Sequence, residues 1–74
     1  MMMAGYTPRE GDVLELTKQD RRYIVVDRVT ETTCYCRRVD NAGSLLAAAQ
    51  MPITQFLRLI DREDAILHHG RVGW

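Results

Sequence analysis

The sequence predicts a small, mainly β fold of about five strands with a short C-terminal helix. Three observations carry that expectation. The segment Arg22–Val29 contains Tyr23, Ile24, Val25, Val26 and Val29, aromatic and β-branched side chains that fit a pleated surface. Polar clusters at Thr17–Asp20, Thr30–Thr32 and Asp40–Gly43 cut the chain into runs of strand length. The chain has only 74 residues, and a domain of this size buries only about 60% of its unfolded surface, so one thin core is all it can build.

Taken in order, residues 1–10 form a flexible lead-in with Gly5 and Pro8 among small and polar residues. Gly11-Asp12 turns into a first strand, Val13–Leu16, and Thr17–Asp20 is the first hairpin loop. Arg22–Val29 is apolar on both faces at its centre, which suits a central strand. Thr30-Glu31-Thr32 is a short loop and Thr33–Val39 returns antiparallel. There Cys34 and Cys36 share one face, and Thr33, Tyr35, Arg37 and Val39 share the other. Asp40-Asn41-Ala42-Gly43 is the clearest turn, since Asp and Asn bond their own backbone and Gly accepts a left-handed conformation.

A fourth strand is expected over Ser44–Gln50, a proline-led helical turn over Pro52–Gln55 and a fifth strand over Phe56–Ile60. The alternative is an α+β fold, a three-stranded meander followed by helices. It rests on the helix-forming composition of Ser44–Gln50 and on Ile53, Phe56, Leu57 and Ile60, which fall on one helical face. Asp61–Gly70 is expected as the short helix, with Asp61 as cap, Glu63 and Asp64 in the first turn, His68 and His69 in the last, and Gly70 as stop. The organisation expected is therefore a lead-in over 1–10, the β unit over 11–60, and a helix and tail over 61–74.

Composition narrows the classes of function. Ten basic and ten acidic residues cancel, so bulk charge gives no reason for a nucleic-acid or acidic partner. The longest apolar run, Leu45–Ala49, is far short of the roughly 20 residues of a membrane-spanning helix. Met1–Tyr6 has neither the basic nor the apolar region of a signal peptide. Two cysteines make no disulfide framework, and the expectation is reduced thiols in a cytoplasmic protein.

No motif points to chemistry. Cys34 and Cys36 are one residue apart on a strand and His68-His69 are adjacent, neither of which matches the spacing of a structural zinc site. The glycines are scattered, and the close carboxylates at Asp61, Glu63 and Asp64 are accounted for by helix capping. A core-facing thiol is inert. No catalytic residue, cofactor, metal or small-molecule substrate is expected, and the chain reads as a non-enzyme.

The candidate binding residues are Arg21, Arg22, Tyr23, Tyr35, Arg37 and Arg38. Lys18–Arg38 holds six basic and three acidic residues, and antiparallel pairing of the second and third strands brings residue 22 opposite roughly residue 38. Arginine beside tyrosine on an exposed face suits protein contacts and also phosphates and bases. The competing account is that Asp20, Asp27 and Asp40 neutralise these arginines on a solvated face. The function expected is a binding or regulatory module working through protein–protein contacts or self-association, with Trp74 as a further contact candidate; the alternative is a nucleic-acid-binding module using the arginine/tyrosine hairpin face.

Over residues 11–60 the order of elements resembles an SH3-like small β-barrel. The resemblance rests on the Gly11-Asp12-Val13-Leu14 start, a long apolar second strand, a short loop, a third strand, the Asp40-Asn41-Ala42-Gly43 turn and a Pro52-led turn before the last strand. It implies closure of the strands into a barrel and assigns no functional residue. The chain is also similar to short bacterial and prophage-encoded proteins of unknown function, which implies an accessory role. One phenylalanine and one late tryptophan do not make the aromatic groove of proline-peptide-binding SH3 domains.

Overall fold

In the computed structural model, which describes residues 7–69, five strands and one helix follow one another as β1 (Asp12–Leu16), β2 (Arg22–Val29), β3 (Thr33–Asp40), β4 (Leu45–Pro52), α1 (Ile53–Asp61) and β5 (Ala65–His69). The strands make one sheet in the order β4-β3-β2-β1-β5, antiparallel at every joint. The mainly β expectation holds. The sheet is open: β4 and β5 are its two edges, and no ladder joins them among the described residues.

Local chemistry sets the turns. In the β3–β4 turn the Ala42 and Ser44 amides donate to Asp40 Oδ1 at 2.9 and 3.0 Å, and Gly43 takes a φ of 83°. Between β2 and β3 the Thr33 amide donates to Thr30 Oγ1 at 3.1 Å, so a threonine hydroxyl closes the three-residue loop. At the start of β1, Asp12 is buried and accepts the Arg9 amide on Oδ2 at 2.9 Å, while the Gly11 amide reaches the Val26 carbonyl. Residues 9–12 are thus fastened to the sheet, and Pro8 is buried. The rest of the expected flexible lead-in, residues 1–6, lies outside the described residues, as does Trp74.

The second half of the chain corrects two expectations. Phe56–Ile60 is helical and belongs to α1, and no strand forms there. Asp61–Gly70 is not a helix: Ala65–His69 pairs with β1 as β5, and Gly70 lies outside the described residues. The physical reason is the core. As a helix, Ile53, Phe56, Leu57 and Ile60 all point at the sheet, and Phe56 is completely buried. A strand would have turned alternate members of that set away from it. The Pro52 that opens α1 is also the last residue of β4, where its missing N–H costs no helical bond.

One face of the sheet carries Leu14, Ile24, Val26, Cys34 and Cys36, and α1 covers it with Phe56 at the centre. The opposite, outer face holds a smaller cluster, Val13, Val25 and Val39, with Tyr23 packed against it. Among the described residues no helix is long and apolar enough to cross a membrane.

Candidate binding surface at the β3–β4 edge

Strand alternation separates the six arginine and tyrosine candidates. Cys34 and Cys36 are buried in the core, so Tyr35 and Arg37 stand on the outer face, with Tyr23 against the valine cluster of that face. Arg38 alternates to the other side, where its Nη2 donates to Gln19 Oε1 at 2.9 Å. Arg22 pairs with Asp40 across the ladder and Ile24 with Arg38, so the register lies two residues from the expected one. Arg21 is exposed in the β1–β2 loop with a φ of 54°, its Nε 3.8 Å from Asp20. The structure therefore brings Tyr23, Tyr35 and Arg37 to one face and places Arg22 and Arg38 on the opposite side of their strands.

A β-bulge between Val26 and Arg28 brings in Arg28, which the candidate set leaves out, and Asp27, one of the carboxylates expected to neutralise the arginines. With Asp27 as the extra residue, Asp27 and Arg28 both stand on the outer face, while Val26 and Val29 both pack towards the core. Arg37 Nε then donates to both Asp27 oxygens, at 2.8 and 3.0 Å, and the Arg28 guanidinium lies 4.4 Å from the centre of the Tyr35 ring. The signal was legible: Val26-Asp27-Arg28-Val29 spaces its apolar residues by three instead of two. These are exposed pairs and contribute little stability, typically under about 1 kcal/mol. Their effect is to hold the side chains in place and to leave the arginine charges on this face partnered.

Beside them a shallow concavity of about 440 Å³ runs from Asp27, Tyr35 and Arg37 to Ala48 and Gln50 on β4. Its outer wall is the edge strand. Leu45–Pro52 carries no charged side chain, and Leu45 and Leu46 are 63% and 47% exposed. The Ile53 amide donates to the Thr32 carbonyl, which makes Thr33 and Pro52 a non-hydrogen-bonded pair of the antiparallel ladder. By alternation Cys34/Met51, Cys36/Ala49 and Arg38/Ala47 exchange the ladder bonds. The amides and carbonyls of Ala48 and Gln50 are consequently aimed away from β3, out of the sheet edge. Leu46 is the extra residue of a second bulge, between the Arg38/Ala47 and Val39/Leu45 pairs. An uncharged strand edge with outward amides is a template for another strand, the arrangement that edge lysines usually block.

The groups with nucleophilic or metal-binding chemistry lie elsewhere and apart. Cys34 and Cys36 are free and buried; burial raises both thiols, Cys36 to about 11 with smaller contributions from Cys34 and Asp27. Protonated thiols are poor nucleophiles and poor ligands. His68 and His69 sit on β5, not at a helix end: His68 Nε2 is 3.0 Å from Glu15 Oε1, and His69 Nδ1 is 3.2 Å from Asp12 Oδ1. They point to opposite faces of their strand, and among the described residues no three His, Cys, Asp or Glu side chains converge to share a metal ion. A second concavity of about 520 Å³ lies near the β5 edge, between Ile60, Ala65, Ile66 and Glu63. The chain matches no family model, no curated protein and no solved structure.

Proposed function

We propose that this chain is a non-enzymatic binding module that works through protein–protein contact along the β4 edge and the outer face beside it. The observation that carries the reading is the edge itself: an eight-residue strand without a charge, with two exposed leucines and the Ala48 and Gln50 backbone turned outward. Strand addition draws affinity from main-chain bonds and specificity from neighbouring pockets, and here the pocket is the concavity bounded by Tyr35 and Arg37. The SH3-like reading is part of the same proposal. It is supported by the five-strand antiparallel order and by a proline-led helix between β4 and β5.

The nucleic-acid alternative draws less support. Arg37 is engaged by Asp27, Arg28 lies over Tyr35, and Arg38 alternates to the opposite side of β3, so the cations do not line one groove. The test of the main reading is capture of partners from a lysate of the source cell, run with the wild-type chain and with Ala48→Lys/Gln50→Lys. Both side chains are exposed, so the variant keeps its fold while its edge carries gatekeeping charge. Proteins retained by the wild type are expected to be lost on the variant. Equal retention by both would remove the β4 edge from the reading.

A further inference from the structure

The β4 edge has two interruptions, and their placement bears on what binds it. At one end the bulge at Leu46 breaks the ladder, and at the other Pro52 lacks an amide. An added strand can therefore pair fully only between them. Leu46 and Pro52 each stand three residues from Ala49. A second β4 laid antiparallel, with its own Ala49 opposite this one, sets each bulge against the other copy's proline. Interruption meets interruption, and no outward amide or carbonyl between them is wasted.

We infer that the occupant of this edge is a second copy of the same chain, paired β4 to β4 across a two-fold axis through Ala49. The inference rests on the edge-binding reading above and names its partner. In this register Ala48 of one copy stands opposite Gln50 of the other, and both are outward-aimed positions, so the two copies exchange four N–H···O bonds. Alanines at 47, 48 and 49 keep side chains from obstructing the approach. No charged residue occurs between Leu45 and Pro52, so a symmetric contact opposes no like charges along the strand, and the chain as a whole carries formal net charge +0.

The exposed apolar residues fit the same register. Leu46 falls beside the partner copy's Pro52, at the limit of the paired stretch. Leu46 of each copy, exposed in the single chain, thereby gains an apolar neighbour, one at each end of the contact. A single strand edge with two leucine contacts is a small interface. The expected affinity is on the order of micromolar or weaker.

Sedimentation velocity over about 1 μM to about 1 mM tests this with three proteins: wild type, Ala48→Lys/Gln50→Lys and Ala48→Glu/Gln50→Glu. Because position 48 faces position 50 of the other copy, each like-charge variant repels itself while the two complement one another. The wild type is expected to dimerise and each variant alone to be monomeric, its dissociation constant raised at least about tenfold. An equimolar mixture of the two variants is expected to dimerise again, which a misfolded variant would not do. A wild type that stays monomeric to about 1 mM overturns the inference. So do variants that dimerise as well as the wild type, or a mixture that fails to restore the dimer. A monomeric wild type that still captures another protein through β4 would overturn the second copy alone and leave the edge-binding reading standing.

Discussion

Cys36 shows at the scale of one residue how burial turns into a pH dependence. Its side chain is enclosed in the sheet core beside Val26 and Cys34, and its thiol is raised from 9.0 to about 11 by loss of solvent, then by Cys34 and by Asp27. The folded state thus holds a proton that the unfolded state releases. Below the unfolded value both states are protonated and the thiol contributes no pH dependence. Between about 9 and about 11 the unfolded state alone ionises, so stability falls as pH rises through this window. Urea midpoints measured from pH 8 to pH 11 are expected to decline, and Cys36→Ala, although less stable at neutral pH, is expected to decline less steeply. Identical slopes would show that the thiol does not titrate with unfolding. The same residue scale explains what could be read from the sequence about the candidate site. The face shared by Tyr35 and Arg37 follows from the two-residue period of β3 alone. That Arg38 does not join them follows from the same period. The engagement of Arg37 by Asp27 and of Tyr35 by Arg28 depends on a bulge, a backbone event that only the three-residue spacing of Val26 and Val29 announces.

At the scale of elements, β2, β3 and their turns were legible because their signals are local. Thr30 and Asp40 bond backbone within four residues of themselves, and the apolar residues of β2 need only a sheet. The segment from 53 to 69 was not legible in the same way. Asp61, Glu63 and Asp64 have the composition of a helix start, yet they form a helix exit, where α1 closes by backbone alone. The Glu63 amide donates to the Ile60 carbonyl and the Asp64 amide to the Leu59 carbonyl, the Schellman pattern, with Glu63 in a left-handed conformation at a φ of 60°. The negative charge of Asp64 is met from outside the helix, as Lys18 Nζ lies 2.7 Å from its Oδ1. Meanwhile Thr17 bonds the Glu63 carbonyl at 2.8 Å and the Asp64 carbonyl at 3.0 Å, which aligns β5 on β1. A left-handed non-glycine residue costs about 1–2 kcal/mol, part of which glycine would return through its freer unfolded chain. Glu63→Gly is therefore expected to stabilise the protein by about 0.5–1 kcal/mol, because Glu63 bonds at this exit only through its amide and carbonyl, which glycine retains. Thermal unfolding checks it: a rise of about 2–8 °C is expected, and a fall would mean that the Glu63 side chain contributes more than its conformation costs.

The whole molecule depends on one sheet face being covered by one short helix. The outer cluster of Val13, Val25 and Val39 is small, whereas the core beneath α1 joins Leu14, Ile24, Val26, Cys34, Cys36 and Ala65 around Phe56. Phe56 has no exposed surface and is the largest fully buried side chain among the described residues. A chain of 74 residues is expected to be stable by about 4–11 kcal/mol, and truncating a buried phenylalanine costs about 3–5 kcal/mol. Phe56→Ala should therefore remove a large share of the folding free energy, since α1, with nine residues, is too short to persist without docking. Phe56→Leu keeps much of the volume and is expected to cost about 1–2 kcal/mol, leaving a folded protein with a lower urea midpoint. Both should be measured at one fixed protein concentration, because any β4–β4 pairing adds stability by mass action. The expected order of midpoints is wild type, then Phe56→Leu, then Phe56→Ala. A Phe56→Ala variant that unfolds at the wild-type midpoint would mean that the sheet holds itself together without its helix, and that the core lies on the outer face instead.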